Sequence, residues 1–212
     1  QTLAIIGQGY VGLPLAMAAV DSGWTVIGID NFEAKVSQIN GGKSPVEDIS
    51  DAKLSAALAK GSYKATTEFS AVALASVITI CVPTPLDEKR EPDLELLRNA
   101  AKAIAPFVSN ETLVVSESTS YPGTLRNEIA ARITGVDHLY ASSPERVDPG
   151  NTQWGTKNTP RLIGGLTPAA VAKAREFYAS FCDTIIEVSS PEVAEAAKIF
   201  ENTFRQVNIA LV

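Results

Sequence analysis

The chain has 212 residues, 18 Lys+Arg against 24 Asp+Glu, and a formal net charge of −6. Hydrophobic residues make up 45% and charged residues 20%, an ordinary globular composition that excludes disorder, collagen and a coiled-coil rod. The acidic balance argues against a nucleic-acid binder, which needs a basic footprint. No apolar run reaches the roughly 18 residues of a membrane span.

The first residues lead straight into an apolar run, Leu3–Ile6, expected to be a strand. Gly7-Gln8-Gly9-Tyr10-Val11-Gly12 follows, then a helical pattern over Val11–Asp21. Further strands are expected at Thr25–Ile29, Tyr63–Thr66, Val77–Val82, Thr112–Ser116 and His138–Ser142. Helices are expected at Glu33–Asn40, Ala52–Lys60, Leu94–Phe107 and Gly123–Ile133. This βαβα rhythm predicts an α/β fold: a Rossmann-like, doubly wound, mainly parallel sheet with helices on both faces. Residues 143–160 are rich in Pro, Gly, Asn and Thr and read as a long loop. A strand (Arg161–Gly164), a helix (Pro168–Phe181) and a strand (Thr184–Val188) come next. A last helix starts at Pro191, with Ser190 as a possible cap.

In that last helix Val193, Ala197, Phe200, Phe204, Val207 and Leu211 recur at spacings of four and three, giving one apolar stripe. The stripe is expected to be buried, partly on its own domain and partly on a second copy of the chain. The pattern runs to Val212 without a Gly, Asn or Pro stop. The chain is therefore expected to be cut inside a helix that continues, as a fragment of a longer protein. The missing initiator Met suggests trimming at the other end.

Two cysteines, Cys81 and Cys182, are too few for a disulfide framework and read as buried reduced thiols. The single histidine, His138, rules out an all-His metal site, and no metal is expected. No signal peptide is visible, so a cytoplasmic location is expected.

The glycine run has a strand before it and a helix after it, the context that gives a G-x-G-x-x-G its meaning. Gly7 permits the tight turn, Gly9 lets a pyrophosphate approach the backbone, and Gly12 lets helix and strand pack closely. The helix N-terminus offers N–H groups and a partial positive charge to phosphates. Tyr10 and Val11 belong to the same turn. The second strand ends in Asp30, where a carboxylate accepts hydrogen bonds from ribose hydroxyls and repels a 2′-phosphate. NAD is thus expected over NADP. Val82-Pro83-Thr84-Pro85 ends one strand, and Ser118-Thr119-Ser120-Tyr121-Pro122-Gly123-Thr124 follows the next. Ligands of open parallel sheets bind beyond the carboxyl ends of strands, so Pro83, Thr84, Ser118 and Thr119 are expected near the nicotinamide half.

Those motifs, followed in order by Ser143-Pro144-Glu145-Arg146 and Lys198…Glu201-Asn202-Thr203, make residues 2–212 resemble the N-terminal part of the UDP-glucose/GDP-mannose dehydrogenase family. The fuller loop, Ser143-Pro144-Glu145-Arg146-Val147-Asp148-Pro149-Gly150-Asn151, is most similar to members that oxidise UDP-N-acetylhexosamines such as UDP-N-acetylglucosamine. The resemblance implies oxidation of the sugar C6 from alcohol to carboxylate with two NAD+ in succession. By motif, Glu145 and Lys198 would be catalytic, with Glu145 also beside the cofactor. Asn202 would hold substrate or water, and Thr119 would sit by the water and the nicotinamide. A Lys ammonium suits a developing oxyanion, and a Glu suits proton handling or the orientation of water.

The family's nucleophilic cysteine lies in a Gly-rich stretch that this chain does not contain, and neither Cys81 nor Cys182 has such surroundings. The resemblance implies residues 1–190 as the NAD-binding domain and 191–212 as the start of a central connecting helix that contributes to a homodimer. The UDP-sugar domain would lie outside this chain. Binding of NAD without activity is expected of the chain alone. Two other readings stay open: a simple NAD-dependent 3-hydroxy-acid dehydrogenase and a non-catalytic NAD-sensing module. The loop from Ser143 and the strand–helix–strand segment 161–188 tell against the first. The second leaves Glu145 and Lys198 without a role.

Overall fold

The computed structural model describes residues 1–133, 139–146 and 153–212. Five parallel strand pairings build the sheet outward from Thr2–Ile6 (β1). Thr25–Ile29 (β2) and Val77–Ile80 (β4) flank it, Tyr63–Thr66 (β3) lies outside β2, and Leu113–Ser116 (β5) and Leu139–Ser142 (β6) continue beyond β4. Arg161–Gly165 (β7) and Ile185–Glu187 (β8) complete an eight-stranded sheet of order β3-β2-β1-β4-β5-β6-β7-β8. The β6–β7 pair is antiparallel, an arrangement that needs no helical crossover between its strands.

Successive side chains of β1 point to opposite faces. Leu3 and Ile5 enter one core with Leu13, Met17, Leu54 and Phe177. Ala4 and Ile6 enter the other with Leu97, Ala101, Ile104 and Leu125. Gly12–Asp21 (α1), Glu33–Asn40 (α2), Asp51–Ala59 (α3) and Pro168–Ala179 (α5) cover the first face, and Glu95–Ile104 (α4) covers the second. Both faces being covered explains why β1, β4 and β5 carry continuous apolar runs. No helix among the described residues is long and apolar enough to cross a membrane.

Several boundaries differ from the sequence expectation for physical reasons. The helix expected over 94–107 ends at Ile104 and tightens into a 3-10 turn, Ala105–Phe107. Pro106 lacks the N–H that an α-helix would use there. The expected helix 123–133 is a π turn at Leu125–Ile129 followed by a 3-10 turn at Ala130–Arg132. Gly123 precedes it with φ +97, a value that no right-handed helix accommodates. A 3-10 helix at Phe69–Leu74 was not expected at all. His138, at the start of an expected strand, and Val147–Asn151 of the long loop lie outside the described residues.

The last helix, Pro191–Leu211 (α6), forms from Pro191 as expected. Most of the expected stripe does not pack on its own domain. α6 docks on its own domain through Pro191, Ala194, Glu195 and Lys198, a face with two charged residues. Phe200, Phe204, Val207 and Leu211 remain 73%, 65%, 52% and 80% exposed. The face that packs combines Pro191 and Ala194 with the charged Glu195 and Lys198.

Candidate functional site

The glycine turn sits where the strand order reverses, between β1 and β4, and each glycine has its own reason. Gly7 has φ +93, and a Cβ there would lie 2.6 Å from the Cys81 carbonyl oxygen. A Cβ on Gly12 would lie 1.8 Å from the Gly7 carbonyl oxygen, so Gly12 sets the close approach of α1 to the turn. Around the Cβ direction of Gly9 there is no atom within 4 Å. The fold requires the first and third glycines, and only the second opens onto empty space.

That space is a cavity of about 820 Å³. Gly7, Gly9, Tyr10, Val11 and Asp30 line it together with Pro83, Thr84, Glu117, Ser118, Thr119, Glu145, Lys198 and Asn202. Gly12 is buried beneath the turn and does not line it. Residues far apart in the chain thus meet in one cleft at the carboxyl ends of β1, β2, β4 and β5. Pockets of this size hold small ligands. A second hollow, about 700 Å³, lies on the other side of α1, bordered by Trp154 and Cys182.

Asp30 does not face the cleft unaided. Its Oδ2 accepts from the Gln8 N–H at 3.0 Å and from Lys35 Nζ at 2.8 Å, and its Oδ1 accepts from the Phe32 N–H at 3.1 Å. These contacts fix the carboxylate at the rim. The two strand-end loops are stitched together as well. Thr84 Oγ1 donates to the Thr119 carbonyl oxygen at 2.5 Å, and Ser118 Oγ donates to the Val82 carbonyl oxygen at 2.7 Å.

Glu145 reaches the cavity from the segment after β6. Arg161 Nη2 donates to its Oε2 at 2.8 Å, while Arg161 Nη1 donates to Glu117 Oε2 at 2.9 Å. Glu117 also accepts from the Tyr178 hydroxyl at 2.6 Å. Burial raises the Glu117 carboxyl above its ordinary range, against the pull of Arg161. Burial also opposes the charge of Arg161, but Glu117 and Glu145 outweigh it and keep the guanidinium ionised. The next residue, Arg146, forks onto Glu201 of α6, with one leg, Nε to Oε2, at 3.0 Å.

Lys198 faces the cleft from α6 and is 8% exposed. Burial lowers its ammonium pKa, with Glu201 and Glu145 opposing the shift and Arg205 and Arg146 reinforcing it. Cys81 lines the cavity but is buried, and burial raises its thiol pKa well above the usual range. Burial pushes Cys182 to about 11. Neither thiol has the thiolate character of a nucleophile. Among the described residues no group of His, Cys, Asp and Glu is arranged to hold a metal ion.

The model of the UDP-glucose/GDP-mannose dehydrogenase family, NAD binding domain, matches residues 1–182. The chain belongs to this family. UDP-N-acetyl-D-mannosamine dehydrogenase from Pyrococcus horikoshii is 36% identical over 216 residues, 99% of this chain and 51% of that protein. The solved structure of UDP-D-ManNAc dehydrogenase from the same organism superposes with a TM-score of 0.90 at 35% identity, over all of this chain and 52% of that one. A ternary complex of GDP-mannose dehydrogenase from Pseudomonas aeruginosa gives a TM-score of 0.91 at 30% identity, over 99% of this chain and 51% of that one. The chain therefore spans about half the length of these dehydrogenases. Its matched region is the family's NAD-binding domain.

The sequence reading of this dehydrogenase domain missed Lys35, Glu117, Arg161 and Glu195. Glu117 carried a signal, since a glutamate ending an apolar strand demands a buried partner. Its partner Arg161 is 44 residues away in sequence, a distance that no spacing rule bridges.

Proposed function

We propose that the chain is the cofactor half of an enzyme that oxidises C6 of a UDP-N-acetylhexosamine to the uronate with two NAD+. Residues 1–190 are the NAD-binding domain in this reading, and 191–212 begin the connecting helix. The observation that carries it is the single cleft shared by Gly7–Val11, Asp30, Thr119, Glu145, Lys198 and Asn202.

The cleft fits a dinucleotide. The Gly9 side is open, no side chain caps the N-terminus of α1, and such a terminus favours a pyrophosphate. Asp30 stands one strand away for the ribose hydroxyls. Pro83, Thr84, Ser118 and Thr119 line the same cavity as Glu145 and Lys198 and in this reading border the nicotinamide half. Bound NAD+ supplies the hydride acceptor. Lys198 stabilises the negative charge developing on the C6 oxygen in a site with little water. Its lowered pKa also brings proton exchange closer to neutral pH. Glu145 moves a proton or holds the water that completes oxidation, and Asn202, one turn beyond Lys198, orients it.

In this reading oxidation beyond the aldehyde passes through a covalent adduct to an enzyme nucleophile. Cys81 and Cys182, both with raised pKa, are unsuited. The nucleophilic cysteine and the UDP-binding domain are assigned to the half of the relatives' length that this chain does not span. In this reading the exposed Phe200–Leu211 face of α6 meets a second copy in a cytoplasmic homodimer, a state that light scattering on the full-length protein reads directly. Turnover by the full-length protein tests the function. Two NADH per UDP-sugar and a uronate product are expected, and a ketone product overturns the reading.

A further inference from the structure

Glu145 enters the cleft with a buried charge network behind it. Arg161 is 3% exposed, Glu117 is 0% and Glu145 is 13%. One guanidinium spans two carboxylates, Nη1 to Glu117 and Nη2 to Glu145, at 2.9 and 2.8 Å. Arg161 Nη1 also reaches the Ser143 carbonyl oxygen at 3.4 Å, and its Cζ lies 4.8 Å from the Tyr178 ring centroid. A planar guanidinium gripped on both forks cannot rotate without breaking a charge-assisted bond. Arg161 is therefore fixed before any ligand arrives.

We propose that Arg161 is a positioning residue that aims the Glu145 carboxylate into the cleft, and that Glu117 is the buried counter-ion holding Arg161 for that task. The inference rests on the catalytic reading of Glu145 given above.

The geometry distinguishes this from a plain structural pair. If Arg161 only neutralised Glu117, one buried partner would suffice. Both carboxylates border the cavity, and the second fork goes to Glu145, the more exposed of the two at 13% against 0% for Glu117. Around Glu145 stand Glu117 beyond β5, Arg161 on β7 and Lys198 on α6, with Glu201 and Arg205 acting on Lys198, and the Arg146 N–H donates to Glu145 Oε1 at 2.7 Å. Arg146 follows it in the chain. Tyr178 on α5 and Cys81 beyond β4 stand behind Glu117. The Arg161–Glu117–Glu145 set presents two carboxyl groups to one guanidinium. Removing the Glu117 charge leaves Glu145 as the remaining carboxylate of this set on the guanidinium, which favours its ionised form. Removing the guanidinium leaves two carboxylates together, which favours a proton on one of them.

The test uses the full-length enzyme and the pH profile of kcat/KM. Glu117→Gln keeps the shape and should move the limb governed by Glu145 to lower pH by about one pH unit. Arg161→Gln should move it to higher pH, and Arg161→Lys should restore it towards the parent. Carboxyl-carbon NMR of glutamate-labelled protein reads the same shifts without turnover, with the Glu145 signal identified by its loss in Glu145→Gln. If Arg161→Gln does not fold, Glu117→Gln alone still decides. A Glu117→Gln enzyme that folds and keeps the parent's pH profile and Glu145 titration overturns the proposal. If instead Glu145→Gln turns over like the parent, the catalytic reading of Glu145 has failed, and the NMR titration still tells whether Arg161 controls that carboxylate.

Discussion

Glu195 of α6 accepts the backbone N–H of Gly123 at 2.6 Å, and its second oxygen accepts the N–H of Leu125 at 2.8 Å. A carboxylate on the terminal helix thereby holds the loop that carries Thr119. Lys198 lies one turn further along the same helix and faces the cleft. The contact sets where α6 sits, and with it where Lys198 points.

Glu195→Gln should show this. A carboxylate offers both oxygens to the two N–H groups, whereas an amide offers one oxygen and turns an NH₂ towards the other donor. Glu195 is 1% exposed, so no water takes the lost role. The expected destabilisation is about 2 kcal/mol by urea unfolding. In the full-length enzyme kcat should fall more than NAD affinity, because α6 moves and the glycine turn does not. Unchanged unfolding would show that α6 docks by other means.

The glycines of the turn should separate binding from folding. Gly9→Val places its side chain in open space, so the melting temperature should stay near the parent's while calorimetry finds no NAD binding. Gly7→Ala meets a positive φ and the Cys81 carbonyl, and should lose about 1–3 kcal/mol of stability. The opposite pattern, with a folded Gly7→Ala and an unfolded Gly9→Val, would refute the division of roles.

Asp30 should make NAD the preferred nucleotide, since a 2′-phosphate would meet its carboxylate. Lys35, at 2.8 Å, offsets part of that repulsion. Asp30→Ala should therefore relax the preference and let NADP bind. Calorimetric titration with both nucleotides checks it, and equal affinities in the parent would sink the assignment.

Lys198→Met should raise stability while removing turnover. Burial holds the folded-state pKa of Lys198 below its unfolded value, so the native state binds the proton less tightly than the unfolded one. At neutral pH the ammonium carries its full penalty, which fades as pH rises towards about 10.4. The Met variant should be more stable by about 1 kcal/mol at pH 7, with the gap closing near pH 10. Denaturation at the two pH values measures it. A less stable variant at pH 7 would show that the electrostatic attraction of Glu201 and Glu145 outweighs burial.

The sequence by itself determined the strand–glycine–helix opening, the acid at the end of β2 and the alternation that makes a parallel sheet. Each is local: a residue type fixes a backbone angle, a turn or a buried face within a few positions of itself. The same locality limits what the stripe on α6 says, because periodicity reports an apolar face but not what lies opposite it. Only the tertiary structure decided that Glu195 and Lys198 pack inward while Phe200 and Phe204 stay exposed. It alone joined Glu117, Arg161 and Glu145, which come from three segments and have no common spacing. Buried charges survive only where partners meet them in space, and that meeting is a property of the folded sheet.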